Sequence, residues 1–267
     1  MNRQAQAAVL FLLGASLLHA ATTDLYLRYV KQGLRPLVLV SGAVLIAAAL
    51  ATAWYERKRA RSRKQAQAQA RHPRAEHPDA EHPNAKNPDA EKPRAEHSHP
   101  EPRISWLLVL PLLALILVAP PALGSYSATR TGTALQEPLA YPDLPAADPL
   151  PLNVVDYAGR AVYDHGRTLR DRRIQLTGFL ALDRDGTPYL VRMALNCCAA
   201  DAQPVKVALT GQVPPVLQPD TWLRITGTYT PRRTKDPVNG GPIPFIEVTE
   251  AKPVAEPTDP YDESWNG

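Results

Sequence analysis

Three apolar segments in the first half of the chain constrain its fold more than any other feature. They comprise residues 5–21, 34–55 and 104–123. A helix needs roughly 20 residues to cross the hydrocarbon core of a bilayer, and the last two segments meet that length. Residues 106–120 carry no charge at all, whereas a helix of a soluble protein normally has a polar face. The sequence therefore predicts a membrane protein with three transmembrane α-helices.

The first apolar segment has two interpretations. It resembles a signal peptide, since Arg3 precedes it and Ala20 and Ala21 end it. Cleavage there would place Leu18 where a small residue is required, so we interpret the segment as a retained helix.

The charged residues beside the second segment indicate how the chain is oriented. Six basic residues follow it closely: Arg57, Lys58, Arg59, Arg61, Arg63 and Lys64. Positively charged loops stay in the cytoplasm, so we expect the N-terminus inside and the C-terminal half outside the cytoplasmic membrane. The same residues suit anionic lipids of the bilayer surface. Because the basicity is concentrated there, the net charge of +4 does not indicate a nucleic-acid partner.

The composition divides the chain into five parts. Residues 1–55 hold two helices with a short outer loop. Residues 56–103 form a basic cytoplasmic loop with a pentapeptide repeat that begins at Ala70. A proline in every repeat unit and the lack of apolar residues predict a disordered or polyproline-like segment. Residues 104–123 are the third helix, residues 124–153 a Pro-rich stalk, and residues 154–267 an extracytoplasmic β domain.

The β domain is predicted from short stretches of alternating apolar and polar residues. Five of them follow residue 172, and Asp185-Gly186 supplies the turn of a hairpin between the first two. Gly178 and Gly227 lie where strands of a small barrel must bend sharply. We therefore expect a small all-β domain, with an OB-like barrel as the first interpretation and a sandwich as the second.

The two cysteines of the chain are adjacent, and a carboxylate follows them closely. Adjacent side chains of a regular strand point to opposite faces, so Cys197 and Cys198 reach one ion only where the strand ends. Asn196 and the segment after the cysteines favour such an ending. Two thiolates, Asp201 and His165 then form a candidate site for a thiophilic cation such as zinc.

Two other interpretations of the cysteine pair stay open. An oxidising compartment favours a vicinal disulfide. Its geometry is unfavourable, because neighbouring α-carbons are ~3.8 Å apart and disulfides usually need ~4.4–6.8 Å. The third interpretation is that both cysteines pack as small apolar residues inside a barrel. No nucleophile–base arrangement and no phosphate-binding loop is visible, so an enzyme is not expected.

Several motifs resemble the YcgQ-like family of bacterial membrane proteins. They are residues 25–30, residues 173–179, the Cys-Cys-Ala-Ala-Asp-Ala block at 197–202, residues 222–228 and Asp-Pro-Tyr at 259–261. The resemblance excludes the pentapeptide repeat. It implies an accessory subunit beside a larger multi-helix permease, with the outer β domain gating or handing over a small solute or a cation, zinc included. Residues 23–33 are then the first candidate for contact with that partner. The alternative function is an envelope redox or stress sensor that works through the vicinal cysteines.

Overall fold

The computed structural model describes residues 3–70, 113, 121–214 and 218–263. The chain begins with two helices, α1 (Arg3–Thr22) and α2 (Arg35–Ala70), separated by two short 3-10 helices at Asp24–Arg28 and Gln32–Leu34. Each long helix contains an apolar stretch long enough to cross a membrane, as predicted. Helix α2 continues beyond this stretch through the basic residues 56–70, which had been assigned to the disordered loop. The repeat and nearly all of the third apolar segment lie outside the described residues.

The two helices approach each other closely through small residues. A β-carbon added to Gly14 would lie 2.8 Å from the carbonyl oxygen of Gly42, and one added to Gly42 would lie 3.0 Å from that of Gly14. Ala5 and Ala49 are also buried. Small residues at the contact are typical of helices that pack in a membrane, where backbones must come close for dispersion forces to act.

The C-terminal part of the chain is a closed five-stranded barrel, which confirms the prediction of a small barrel domain. Its strands are β2 (Ile174–Leu182), β3 (Pro188–Leu195), β4 (Gln203–Gly211), β5 (Trp222–Lys235) and β6 (Pro242–Pro253). They follow one another around the barrel as β2, β5, β6, β4 and β3, and β3 pairs again with β2 to close it. The pair β4–β6 is parallel, whereas the other four pairs are antiparallel. Two short strands lie outside this ring: β1 (Leu150–Pro151) beside β2, and β7 (Tyr261–Glu263) beside β3.

The predicted turn and bends position these strands. Gly186 adopts φ +83° in the turn between β2 and β3, a conformation that glycine reaches without steric cost. Gly178 allows β2 to cross β3 closely, since an added β-carbon would lie 2.7 Å from the carbonyl oxygen of Val191. Along β3, Leu190 and Ala194 belong to one core cluster and Val191 and Met193 to another. Alternate residues of this strand therefore lie in two different core clusters, and both of its faces are buried.

A helix that precedes the barrel strands completes the interior core. Asn153 is the N-cap of helix α4 (Val154–Val162), and its side chain accepts a hydrogen bond from the Asp156 backbone N–H. The helix contacts all five strands of the barrel. Its buried Tyr157 donates a hydrogen bond of 2.6 Å to the carbonyl of Phe245. This helix therefore packs against the apolar interior that the strands enclose.

Residues 121–153, most of which were predicted to be a stalk, pack on the barrel. They include a short helix, α3 (Ser125–Arg130), and its Ala128 is fully buried in the cluster on the other face of β3. The backbone N–H of Thr133 donates to Asp236, and the Lys206 ammonium donates to the Thr131 carbonyl. The proline-rich composition here reflects an irregular segment fixed by long-range contacts rather than a spacer.

Candidate metal centre

The cysteine pair lies where strand β3 ends, as the sequence predicted. The strand stops at Leu195, and a single 3-10 turn at Ala199–Asp201 then leads into β4. The two Sγ atoms and a carboxylate oxygen of Asp201 all lie within 4.8 Å of one another. The end of the strand therefore brings together three of the four residues that were predicted as ligands.

Asp201 organises this turn through four hydrogen bonds. Its Oδ1 accepts from the backbone N–H of Asn196 at 2.9 Å. Its Oδ2 accepts from the backbone N–H groups of Cys197 at 2.9 Å and Cys198 at 3.2 Å. The thiol of Cys197 also donates to Oδ2, with Sγ 2.9 Å from the oxygen. Asp201 is thus the residue that shapes the turn as well as a candidate ligand.

These contacts shift the acidity of both groups. The hydrogen bond to Asp201 is the largest cause that raises the pKa of the Cys197 thiol to about 11, followed by the hydrogen bond with Cys198. Partial burial alone would raise the pKa of Asp201. The hydrogen bonds from the Cys197 thiol and from three backbone N–H groups outweigh that effect and lower it to about 2. Without a metal, the site therefore holds a carboxylate and a protonated thiol.

The exposure of the cysteines bears on the three interpretations of the pair. Both are free thiols; Cys197 is exposed and Cys198 is half-buried. Two cysteines that merely pack a barrel interior would both be buried, and these are not. A cluster of three donors that is exposed at Cys197 leaves room for a further ligand from solvent or from another molecule.

His165 is not brought to the cysteines. It follows α4 with φ 53°, and its Nδ1 lies 3.1 Å from the guanidinium of Arg233. Its carbonyl accepts a hydrogen bond from the Tyr229 hydroxyl. The only histidine of the β domain was included because imidazole is a common zinc ligand. The fold instead places it against a fixed positive charge, which disfavours a cation.

The loop between the two apolar helices is a part of the site that sequence reasoning did not assign to it. Val30 forms an antiparallel bridge with Cys198. The Ala199 backbone N–H donates to the Tyr29 carbonyl at 2.8 Å, and the Lys31 backbone N–H donates to the Cys197 carbonyl at 3.2 Å. The signal for this contact is weak: residues 25–30 alternate in part, but nothing local connects them with a segment almost 170 positions away.

Comparison with known proteins places the cysteine segment within a recognised domain. Residues 150–262 match the family described as the DUF1980 C-terminal domain, an uncharacterised bacterial family. The match spans β1 to β7 and includes the three clustered ligand candidates. No curated protein and no solved structure matches the chain.

Proposed function

We propose that the protein is an accessory subunit of a permease complex in a bacterial cytoplasmic membrane, and that its outer barrel captures a thiophilic cation such as zinc. The observation that carries this proposal is the convergence of the Cys197 and Cys198 thiols with the Asp201 carboxylate at the end of β3. The resemblance of the chain to the YcgQ-like family supports the permease partner. Two apolar helices support the membrane location.

The geometry suits zinc with little rearrangement. Zinc binds sulfur at about 2.3 Å and carboxylate oxygen at about 2.1 Å in a tetrahedral arrangement, so a shared ion separates the two donor atoms by ~3.6 Å. In the structure, Cys197 Sγ and Asp201 Oδ2 are 2.9 Å apart with a proton between them. Replacing that proton by the ion needs these two atoms to separate by a further ~0.7 Å. The released proton makes binding weaker at lower pH.

Three protein ligands on an exposed turn favour capture and release over permanent storage. Structural zinc sites are normally closed by four protein ligands, whereas sites that exchange their fourth ligand keep one position open. The open position here can be taken by water, by the incoming carrier of the cation or by a group of the permease. This is the chemistry that a subunit needs in order to hand over a cation.

The alternative function is a redox or stress sensor, which the exposed thiol of Cys197 favours. Sensor cysteines react as thiolates and therefore have a lowered pKa. The carboxylate of Asp201 raises the pKa of the Cys197 thiol to about 11, so little thiolate is present at neutral pH. For this reason the redox function ranks second.

We infer further that the barrel is of the OB type. If its five strands are counted from β2, they follow one another around the barrel as first, second, third, fifth and fourth. The third and fifth strands of this count pair in parallel. OB barrels bind polymers on the outer face of the second and third strands. In this chain those strands are β3 and β4. Residues Leu123 and Ala128 pack with Val191 and Met193 on that side. A face covered by the chain itself supports the expectation that no nucleic acid binds there.

The bridge between the interhelical loop (residues 23–34) and the cysteine segment also supports the proposed topology. If α1 and α2 both span, this loop and the barrel that it contacts lie on one side of the membrane. The C-terminal end of α2 then lies on the other side, and the chain crosses once more before residue 121. The apolar residues 104–123 have the length for that crossing. The basic residues 57–64 in the C-terminal half of α2 favour a cytoplasmic position for this end and an outer position for the barrel.

Zinc binding by the full-length protein in detergent tests the metal role. We expect the reduced wild type to retain one zinc ion by elemental analysis, with affinity that falls as the pH is lowered. Cys197→Ser and Cys198→Ser stay close to cysteine in size but remove a thiolate ligand, so affinity falls by more than about 100-fold, the upper range for loss of a supporting residue.

His165→Ala is the matched control and leaves zinc binding unchanged. A wild type without zinc, or a Cys197→Ser variant that binds as tightly as the wild type, would contradict the metal role. The permease partner is tested separately by purification from native membranes. A subunit that is always recovered alone would contradict that part of the proposal.

A further inference from the structure

The interhelical loop forms hydrogen bonds with the backbone on both sides of Cys198. The peptide groups on either side of Cys198 each take part in one hydrogen bond with the loop: the Cys197 carbonyl with the Lys31 N–H, and the Ala199 N–H with the Tyr29 carbonyl. Cys198 is held in an extended conformation between them, with φ −152° and ψ 168°. Because these two peptides fix the backbone at Cys198, they also fix the direction in which its thiol leaves the chain.

The loop is itself held in place by two buried side chains and by a hydrogen bond from Tyr261. Tyr26 and Leu27 are 4% and 6% exposed, although they belong to a short connection between two helices. The hydroxyl of Tyr261 donates to the Arg28 carbonyl at 3.3 Å. Within the loop, the Val30 N–H donates to the Tyr26 carbonyl at 2.9 Å. The segment that touches the cysteines therefore has one defined position rather than the freedom of an exposed loop.

We propose that the interhelical loop positions the cysteines for the cation, and that docking of the loop and occupancy of the site are linked. The inference rests on the metal role proposed above. A docked loop orients the Cys198 thiol towards Cys197 and Asp201, so the docked state binds the cation more tightly than the released state. By thermodynamic linkage the cation then stabilises the docked loop to the same extent. The loop joins α1 to α2 directly. Occupancy of the cysteine site therefore acts on the ends of these two helices through the covalent chain.

One substitution removes a single contact between loop and site. Lys31 has φ −58°, which is the value that proline requires, and Val30 before it is in a bridge and thus extended. Lys31→Pro therefore keeps this backbone conformation, but it deletes the N–H that donates to the Cys197 carbonyl and places the ring Cδ where that hydrogen lay, so the Cys197 peptide must move away from the loop. Lys31→Ala loses the same side chain and keeps the N–H. The difference between the two variants reports the loss of this contact between loop and site and nothing of the lysine side chain.

The first measurement is zinc affinity of the full-length protein in detergent, with zinc chloride as the probe. We expect Lys31→Pro to bind zinc at least roughly fivefold more weakly than Lys31→Ala, because the loss of one backbone hydrogen bond supplies that factor and the displaced Cys197 peptide adds to it. The second measurement is hydrogen exchange in a peptide that covers residues 24–34. Zinc slows this exchange in the wild type and in Lys31→Ala, less so in Lys31→Pro, and not at all in Cys197→Ser.

The outcomes separate this inference from the metal role. If the wild type binds no zinc, the metal role fails, and the linkage fails with it. If the wild type binds zinc but the two Lys31 variants bind it equally and zinc leaves exchange of the loop unchanged, the linkage is refuted while the metal role stands. Should Lys31→Pro not fold, exchange in the wild type and in Lys31→Ala with and without zinc decides the matter.

Discussion

The ion pair between Lys206 and Asp236 leads to a prediction about how the segment before the barrel is held. Their side chains are 4% and 0% exposed, and Lys206 Nζ lies 2.7 Å from Asp236 Oδ2. The same ammonium donates to the Thr131 carbonyl, and the same carboxylate accepts from the Thr133 N–H. The pair therefore ties β4 and the end of β5 to residues 131–133.

Lys206→Met keeps most of the volume of the side chain but leaves the Asp236 charge buried. Removal of one partner from a buried pair costs about 3–5 kcal/mol. Asp236 retains hydrogen bonds from the backbone N–H groups of Thr133 and Val238, so we expect a value near the lower end, ~3 kcal/mol. For a protein of this size 1 kcal/mol changes Tm by about 2–4 °C, which gives a fall of roughly 6–12 °C.

The assay is thermal unfolding of the full-length protein in detergent, followed by near-ultraviolet circular dichroism. Adding Asp236→Asn to Lys206→Met removes both charges, so the double variant should lose less than the sum of the two single losses. Arg173→Met is the control, because its ion pair with Asp148 is 60% and 63% exposed and such pairs contribute little. A Lys206→Met variant that melts like Arg173→Met, or strictly additive losses, would refute the argument.

Two further predictions concern the barrel and the topology. Gly178→Ala should destabilise the protein by about 1–3 kcal/mol, because the new methyl group meets the Val191 carbonyl. Gly33→Ala, with open space around it, is the control in the same melting assay. Equal Tm values for the two variants would contradict the close crossing of β2 and β3. A protease site inserted in residues 70–100 should be cleaved in inverted vesicles but not in intact cells with a permeable outer envelope, and the reverse pattern would overturn the proposed orientation.

The parts of the fold that the sequence predicted depend on local patterns. The apolar helices are recognisable from composition alone, and the strands from alternation over a few residues. The turn at Asp185-Gly186 and the bend at Gly178 follow from the steric freedom of glycine. Even the end of β3 was predictable, because adjacent cysteines followed by Ala-Ala-Asp break the alternation. Each of these signals lies within about ten residues of the structure that it determines.

The parts that the sequence did not predict depend on contacts between distant segments. Residues 124–153 show no periodicity, so their composition indicated a stalk, whereas the partners that hold them include Asp236 and Lys206. His165 was grouped with the cysteines by residue type alone, and only the fold shows that Arg233 is its neighbour. The bridge from Val30 to Cys198 joins two segments that are almost 170 positions apart in the sequence. Charge and composition do not encode such pairings.

Tyr261 connects the strand that carries the site with two segments that are distant in the sequence. Its backbone pairs with Met193 of β3, four residues before the cysteine pair. Its hydroxyl donates to the Arg28 carbonyl in the interhelical loop and accepts from the Leu123 N–H, where the third apolar segment ends. One side chain thus joins the strand that carries the site, the connection between α1 and α2, and the start of the segment that wraps the barrel. The interhelical loop and the last residue of the third apolar segment are therefore both held by hydrogen bonds to a residue that pairs with the strand carrying the site.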